Sequence, residues 1–320
     1  MTIYNSILDT IGRTPIVKLN NIAPKNVSVY AKIEFFNPGG SVKDRLALGV
    51  ILDAEKKGLL KFGDTIVECT SGNVGIALAM VSAARGYNFV AIMGNGYSVG
   101  RRKMIRAYGG KVILYPSELG SSGGNKIADE LSEKYGWYRP RQFDNKANRD
   151  YHRMTTAAEI LSDFASGNLD YFITGFGTSG TLTGVGQMLK LARPETSIVV
   201  AEPENAAIFS NKEWSVHEIQ GWAPDFIPSI MDDSVIDKTL TVKDIVARDT
   251  ARRLATEEGI FVGISAGATV AAALEVAESA PSGSVLLAMV PDTGERYLST
   301  FLFEGINEGS DDEWLSNIEN

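Results

Sequence analysis

Short apolar segments alternate with longer amphipathic segments along most of this chain, and glycine-rich turns connect many of them. A short apolar run bounded by turn residues predicts a buried strand, whereas helical spacing of apolar residues predicts a helix. Strands are predicted at residues 27–33, 65–68, 88–93, 111–115, 171–174, 197–201, 259–262 and 284–289. Helices are predicted at residues 41–57, 73–85, 101–108, 126–135, 155–164 and 182–192. Such alternation with short connections predicts an α/β fold with two open, mostly parallel sheets.

The length of 320 residues suits two domains of roughly 150 residues each. The boundary is expected near residues 145–155, because residues 144–150 are polar and rich in turn formers. Residues 304–314 are acidic and are expected to form a solvated tail or an edge helix.

Composition excludes several classes of protein. The net charge is −8 and the basic residues are scattered, which argues against a nucleic-acid or anionic-membrane surface. One cysteine rules out an internal disulfide, and two histidines with one cysteine argue against an all-protein zinc site. The sequence shows no secretory signal and no apolar run of about 18 residues. A cytoplasmic protein is therefore expected.

Residues 37–45, Asn-Pro-Gly-Gly-Ser-Val-Lys-Asp-Arg, place a lysine at the predicted start of a helix. Ser41 is a good N-cap, which would put Lys43 in the first turn. The positive end of the helix dipole there disfavours a second positive charge, so Lys43 would lose its proton more easily. Only a neutral amine can attack a carbonyl to form a Schiff base. The motif alone is equally consistent with a surface lysine.

The loop at residues 175–184 follows a predicted strand and contains four glycines, three threonines and a serine. Glycines let backbone N–H groups converge at a helix N-terminus, which predicts a phosphate site. A dinucleotide site is a rival, with Glu202 as the nearest acidic residue, but the glycine spacing gives no clean fingerprint. A nucleotide P-loop is excluded because its Gly-Lys-Ser/Thr ending is missing. A simple tight strand–helix turn is the other alternative.

Three further loops follow predicted strands. Residues 70–75, Thr-Ser-Gly-Asn-Val-Gly, offer hydroxyls, an amide and N–H groups to a small carboxylate, or merely cap a helix. Residues 263–268 place Ser265 among small residues that would admit a flat ring. Residues 291–298 could close the same pocket or form only a turn. Together with Lys43 and the phosphate site, these loops match the needs of pyridoxal 5′-phosphate and an amino-acid substrate.

At these motifs the chain closely resembles the cysteine synthase (O-acetylserine sulfhydrylase) family of fold-type II pyridoxal-phosphate enzymes. The matching segments are residues 11–15, 37–45, 70–75, 177–181, 263–268 and 291–300. The resemblance implies two open, mostly parallel α/β domains, similar to the tryptophan synthase β subunit, with the cofactor in the cleft between them. It assigns residues 1–12 and 36–150 to an N-terminal domain and residues 13–35 and 151–320 to a C-terminal domain.

The resemblance also implies roles for individual residues. Lys43 would form the Schiff base and serve as the base at Cα, Asn73 would bond the ring hydroxyl, and Ser265 would face the pyridine nitrogen. A neutral serine hydroxyl would not hold that nitrogen protonated, which suits loss of a β-leaving group. The phosphate would be held by Gly177, Thr178, Ser179, Gly180 and Thr181. The substrate carboxylate would be held by Thr70, Ser71, Asn73 and Gln142.

The implied reaction converts O-acetyl-L-serine and sulfide into L-cysteine through an aminoacrylate intermediate. Related β-replacement or β-elimination reactions remain alternatives, including cysteine desulfhydration and synthesis of lanthionine, cystathionine or β-cyanoalanine. The family resemblance further implies a homodimer. It also implies that the C-terminal peptide of serine acetyltransferase could dock in the active-site cleft.

Four departures from the family pattern bear on the substrate. Val74 replaces a threonine in the carboxylate loop, and Ser179 replaces a glycine, which requires a negative φ at that serine. Trp222 and Asp225 stand where relatives have small residues at the substrate entrance, so a narrower and more acidic entrance is expected. Residues 93–100 form an unusual glycine-rich segment in the part that closes over the substrate in relatives.

The remaining candidate residues are expected to have structural roles. His217 is expected to hydrogen-bond a loop and His152 to order the boundary between domains. Cys69 precedes the carboxylate loop at the end of a buried strand, and we expect it to pack in the core.

Overall fold

The computed structural model describes residues 3–70, 72–210 and 213–318. The strands are β1 (Ile16–Lys18), β2 (Ser28–Ile33), β3 (Thr65–Cys69), β4 (Asn88–Gly94), β5 (Lys111–Tyr115), β6 (Tyr171–Gly175), β7 (Ser197–Pro203), β8 (Lys238–Val242) and β9 (Val285–Val290). The helices are α1 (Lys43–Lys56), α2 (Asn73–Arg85), α3 (Val99–Ala107), α4 (Gly120–Tyr135), α5 (Lys146–Met154), α6 (Thr156–Asp163), α7 (Gly180–Ala192), α8 (Asp244–Glu258), α9 (Ile264–Ser279) and α10 (Asp312–Ile318).

The strands form two sheets. The larger sheet has six strands in the order β1-β2-β9-β6-β7-β8, and all of its pairings are parallel except β1 with β2. The smaller sheet has three parallel strands in the order β3-β4-β5. The predicted α/β class with mostly parallel sheets is therefore confirmed.

Each sheet is embedded in its own apolar core. Strand β9 reads Val-Leu-Leu-Ala-Met-Val and is almost entirely buried, as expected for a central parallel strand with both faces covered. The alanine-rich helix α9 packs against β9 and β6 in the larger core. Helices α1 and α2 contribute Leu46 and Ile76 to the core of the smaller sheet. Lys43 at the start of α1 is thereby anchored to the smaller sheet.

One sequence prediction of local structure is wrong. Residues 259–262 do not form a strand, because Gly259 adopts a left-handed conformation (φ 71°) that ends α8, and Val262 makes only an isolated bridge to Thr293. Helix α5 (Lys146–Met154) occupies the region where the sequence predicts the boundary between domains. The side chain of Asn145 caps this helix by accepting a hydrogen bond from the N–H of Ala147.

The proposed division into domains keeps each sheet within one unit, although its boundary at residues 150 and 151 falls inside α5.

Near the C-terminus, α10 carries exposed side chains such as Trp314, as expected for an edge helix. None of the helices in the described part of the chain combines the length and apolar character that a membrane crossing requires.

A buried charge cluster joins α1 to the larger sheet. The guanidinium of Arg45, which is 0% exposed, donates to Glu34 and to Glu159 at 2.7 Å each. Lys32 forms an ion pair with the same Glu159 at 3.0 Å. Burial alone would raise the pKa of Glu159, but Arg45 and Lys32 lower it to about 2. Each charge is therefore compensated only while the others remain in place.

We predict that Arg45→Met lowers the free energy of unfolding by about 3–5 kcal/mol, because it leaves Glu34 buried without its cation. Denaturant unfolding measures this loss. The matched control is Arg253→Met, since Arg253 pairs with Glu257 on the exposed face of α8. We expect little change in the control, and equal losses in the two variants would contradict the importance of burial.

Candidate active site

Two adjoining cavities, with about 720 and 550 Å³ of space not filled by atoms when their open mouths are included, lie between loops that belong to both sheets. Both are lined by Lys43, Asn73, Thr178 and Trp222. Their walls include the loops after β3, β6 and β9. The cavities therefore lie at the carboxyl ends of parallel strands, where ligands collect in open α/β folds.

Lys43 is the first residue of α1. The hydroxyl of Ser41 accepts a hydrogen bond from the N–H of Lys43 at 3.2 Å, although the N-cap position itself is Val42 rather than the predicted Ser41. Burial lowers the pKa of Lys43, while the charge of Asp292 opposes that shift. The lowered pKa expected from the sequence is thus present, with burial as its main cause.

The loop after β3 offers donors to the first cavity. The hydroxyl oxygen of Thr70 accepts hydrogen bonds from the N–H groups of Gly72 and Gly75, at 3.0 and 2.9 Å, so its own proton is free for another partner. Gln142 is buried beside it, and its amide donates to the carbonyl of Cys69. Ser71, the remaining predicted ligand of this loop, lies outside the described residues.

Asn73 is held by the loop after β9. Its side-chain N–H donates to Asp292 Oδ2 at 2.6 Å, and its Oδ1 accepts from Arg296 Nη1 at 2.8 Å. The hydroxyl of Tyr297 donates to the same Asp292 oxygen at 2.6 Å. Asn73 thus keeps one amide proton for a ligand, and residues 291–298 are part of the site rather than only a turn.

The loop at residues 177–181 leads into α7, which begins at Gly180. Ser179 has φ +70°, so the negative φ expected at this serine is wrong, and the residue bears a left-handed conformation that usually favours glycine. Its hydroxyl is buried and has no hydrogen-bond partner among the residues that the structure describes. Ser179, Thr178 and Thr181 all line the second cavity. An anion there would satisfy these hydroxyls and the N–H groups of the first turn.

Ser265 lies in the first turn of α9, at the opposite side of the same cavity. It is only 4% exposed, so its hydroxyl can meet a flat ring but little solvent. The preceding Gly263 leaves space for Asp292, because a Cβ there would come within 2.1 Å of Asp292 Oδ1.

Sequence analysis missed a polar wall of the first cavity. Tyr97, Tyr115 and Ser121 line it beyond Thr70 and Gln142. They come from the connection after β4, from the end of β5 and from the first turn of α4. Only the position of Tyr97, in the glycine-rich segment 93–100, carried a signal in the sequence.

The structure shows where the residues lie at which this chain departs from the family pattern. Trp222 is buried against the phosphate loop, where a Cβ on Gly175 would lie 2.0 Å from its ring. Asp225 is exposed and accepts a hydrogen bond from the Ser122 hydroxyl at 2.9 Å, so its carboxylate is tied to the start of α4. Val74 lines the first cavity from α2.

Three other residues that the sequence singled out are Glu202, His217 and Cys69. Glu202 accepts hydrogen bonds from the N–H groups of Phe209 and Ser210, which leaves the dinucleotide alternative without its ribose ligand. His217 lies 3.5 Å from the carbonyl of Ala223, as a loop residue would. Cys69 is buried and also lines the first cavity, and burial raises the pKa of its thiol to about 12.

The site can therefore hold a phosphorylated aldehyde and an amino acid. It has an amine of lowered pKa, a helix N-terminus with three hydroxyl groups, a serine beside a ring-sized space and a second loop of donors. These groups fit pyridoxal 5′-phosphate. Across the described ranges, no group of acidic, histidine and cysteine side chains could hold a metal ion.

Comparison with known proteins agrees with this geometry. The sequence model of pyridoxal-phosphate dependent enzymes matches residues 7–292. O-ureido-L-serine synthase of Streptomyces lavendulae is 70% identical over 319 residues, which cover 100% of this chain and 98% of that protein. Cysteine synthase of Staphylococcus aureus is 44% identical over 300 residues, which cover 93% of this chain and 97% of that protein.

Solved structures extend the comparison to the whole fold. The crystal structure of the O-ureido-L-serine-bound K43A mutant of O-ureido-L-serine synthase superimposes with a TM-score of 0.98 at 70% identity. The match covers 100% of this chain and 99% of that chain. Fold, site and sequence agree: the chain belongs to the cysteine synthase family of fold-type II pyridoxal-phosphate-dependent enzymes.

Proposed function

We propose that this enzyme catalyses a β-replacement in which hydroxyurea displaces acetate from O-acetyl-L-serine, giving O-ureido-L-serine. The observation that carries the choice of nucleophile is the polar wall of the first cavity, formed by Tyr97, Tyr115 and Ser121. The 70% identity with O-ureido-L-serine synthase over the full chain supports the same choice.

The proposed roles are those that the family resemblance implies for the residues of the site. Lys43 would hold the cofactor, and its amine takes the proton from the substrate Cα. Residues 177–181 would hold the phosphate, Asn73 would bond the ring hydroxyl and Ser265 would face the ring nitrogen. Thr70, Ser71, Asn73 and Gln142 hold the substrate carboxylate. The bound pyridoxal phosphate supplies the electron sink for loss of the Cα proton.

The β-replacement balances without an oxidant or reductant. Acetate leaves the substrate Cβ with the bonding electron pair after the Cα proton has passed to Lys43. The hydroxyl oxygen of hydroxyurea then bonds Cβ and releases its own proton, while Lys43 returns a proton to Cα. A neutral Lys43 is required to receive that proton, and burial of this residue favours the neutral form.

The nucleophile must be recognised as well as activated. Hydroxyurea carries a carbonyl acceptor and several N–H donors, whereas sulfide is a single heavy atom that needs no polar wall. The hydroxyl groups of Tyr97 and Ser121, which line this cavity, can pair with the urea group and fix its oxygen toward Cβ. Leaving them unpaired beside a smaller nucleophile costs binding energy.

Cysteine formation from sulfide is the second candidate. It is supported by the 44% identity with cysteine synthase and by the shared cofactor loops. A homodimer, a cytoplasmic location and docking of a serine acetyltransferase C-terminal peptide are also proposals, which rest on the family resemblance alone.

Steady-state kinetics with O-acetyl-L-serine separate the two candidates. We expect kcat/KM for hydroxyurea to fall about two- to tenfold in Tyr97→Phe or Ser121→Ala, the size of one lost hydrogen bond, while kcat/KM for sulfide changes little. The product with hydroxyurea should be O-ureido-L-serine by mass spectrometry. Turnover with sulfide but none with hydroxyurea would favour cysteine synthesis and contradict the proposal.

Ser179 allows backbone strain to be separated from phosphate binding. Ser179→Gly should stabilise the cofactor-free protein by about 1 kcal/mol, because glycine adopts φ +70° without a Cβ penalty. It should also weaken cofactor binding, because the unpaired hydroxyl is lost. Thermal unfolding and cofactor titration measure the two effects.

Ser179→Ala is the matched control, since it removes the hydroxyl but keeps the strained backbone. We expect it to weaken cofactor binding as much as Ser179→Gly does, without the gain in stability. Cofactor affinity that is unchanged in both variants would show that this hydroxyl does not bind the phosphate.

A further inference from the structure

Helix α5 presents two buried polar side chains to the phosphate loop. Asn148 and His152 are 0% and 2% exposed, and their spacing of four residues puts them on one face of the helix. The proposed function uses neither residue. The sequence analysis placed His152 at a boundary between domains and gave Asn148 no role.

Two glycines let α5 approach α7 closely enough for these contacts. A Cβ on Gly180 would lie 2.1 Å from Asn148 Oδ1, and a Cβ on Gly184 would lie 2.5 Å from the carbonyl oxygen of Arg149. A side chain at position 180 would therefore displace the amide of Asn148, and one at position 184 would displace the backbone of α5. Gly180 and Gly184 are four residues apart on α7, as Asn148 and His152 are on α5. The close approach of the two helices therefore brings both polar side chains to the loop and to the first turn of α7.

His152 links two hydroxyl groups. Its Nδ1 lies 2.8 Å from the Thr156 hydroxyl and its Nε2 lies 3.3 Å from the Thr181 hydroxyl. Burial, assisted by the charge of Arg45, lowers the pKa of His152 to about 3. The ring is therefore neutral near pH 7, with one nitrogen that donates and one that accepts.

The burial of Thr156 decides which nitrogen donates. Thr156 is 0% exposed, and within the described part of the chain its hydroxyl meets no partner except His152. A buried hydroxyl donates its proton where it can, so Thr156 donates to Nδ1. The proton of the ring then resides on Nε2 and is donated to Thr181 Oγ1. Thr181 consequently keeps its own proton for another acceptor.

Asn148 acts on Thr178 in the same way. Its Nδ2 donates to the backbone carbonyl of Gln142 at 3.0 Å and to Thr178 Oγ1 at 2.9 Å. The carbonyl of Gln142 can only accept, which fixes the orientation of the amide. Thr178 therefore accepts from Asn148 and keeps its own proton for the second cavity.

We propose that Asn148 and His152 are positioning residues that orient Thr178 and Thr181 so that both hydroxyl protons are donated to the cofactor phosphate. This proposal rests on the assignment of residues 177–181 to that phosphate. A phosphate dianion accepts hydrogen bonds and donates none, so a hydroxyl whose proton pointed at α5 would face it with a lone pair. Helix α5 thus determines how many donors the loop offers.

A double-mutant cycle on the holoenzyme tests whether His152 acts on the cofactor through Thr181. The variants are His152→Leu, Thr181→Val and their combination, and the measurement is the rate at which pyridoxal phosphate is released. We expect about tenfold faster release in each single variant, the size of one hydrogen bond to a charged group. The combination should release the cofactor no faster than Thr181→Val alone, because His152 acts through Thr181.

His152→Gln supplies the rescue, since its amide can donate at a similar reach to Nε2. We expect it to restore most of the cofactor retention and a ³¹P signal of the bound cofactor close to that of the unaltered enzyme. Equal effects of His152→Leu in both backgrounds, or failure of His152→Gln to exceed His152→Leu, would overturn the proposal. Unchanged release in Thr181→Val would overturn the phosphate-loop assignment too.

If His152→Leu does not fold, a second double-mutant cycle tests the role of Asn148 in orienting Thr178. Asn148→Leu, Thr178→Val and their combination should show the same non-additivity in cofactor release. Additive losses would overturn the role of Asn148. None of these outcomes depends on the nucleophile, so they leave the choice between hydroxyurea and sulfide unaffected.

Discussion

The backbone pairing between residues 41–42 and 291–292 is the contact on which the site depends. The N–H of Val42 donates to the carbonyl of Pro291 at 2.8 Å, and Ser41 and Asp292 form an antiparallel bridge. Pro291 follows the central part of the larger sheet, whereas Val42 precedes a helix packed in the core of the smaller one. The pairing therefore sets Lys43 between the two sheets, facing the loops of both. A shift at this bridge would separate the amine from the phosphate loop.

One buried carboxylate then couples the parts of the site. Asp292 is 0% exposed, holds Asn73 and Tyr297 by hydrogen bonds and opposes the lowering of the Lys43 pKa by burial. The amine is consequently tuned by two effects of opposite sign rather than by the helix dipole alone. The same residue fixes the amide of Asn73, so the orientation of a ring ligand and the protonation of Lys43 depend on a common group.

The sequence predicted the parts of the site that are local. Glycine and hydroxyl residues next to a strand indicated both loops in the sequence. Residues 175–182 line the second cavity, and Thr70, Asn73 and Val74 line the first. The sequence could not predict α5, because the buried role of Asn148 and His152 depends on the close approach of α7. The prediction of a strand at 259–262 is wrong because Gly259 ends α8 in a left-handed conformation. The prediction of a negative φ at Ser179 is wrong because this residue adopts the left-handed conformation directly before α7. The polar wall of Tyr97, Tyr115 and Ser121 combines three distant segments, so no local pattern reveals it.

The central claim is that Lys43 carries the cofactor at the junction of the two sheets. Borohydride reduction of the holoenzyme fixes the cofactor to its lysine, and peptide mapping by mass spectrometry then identifies the residue. The account predicts the added mass on the peptide that contains Lys43 and on no other peptide in stoichiometric amount. Modification of a different lysine, with Lys43 unmodified, would contradict the account.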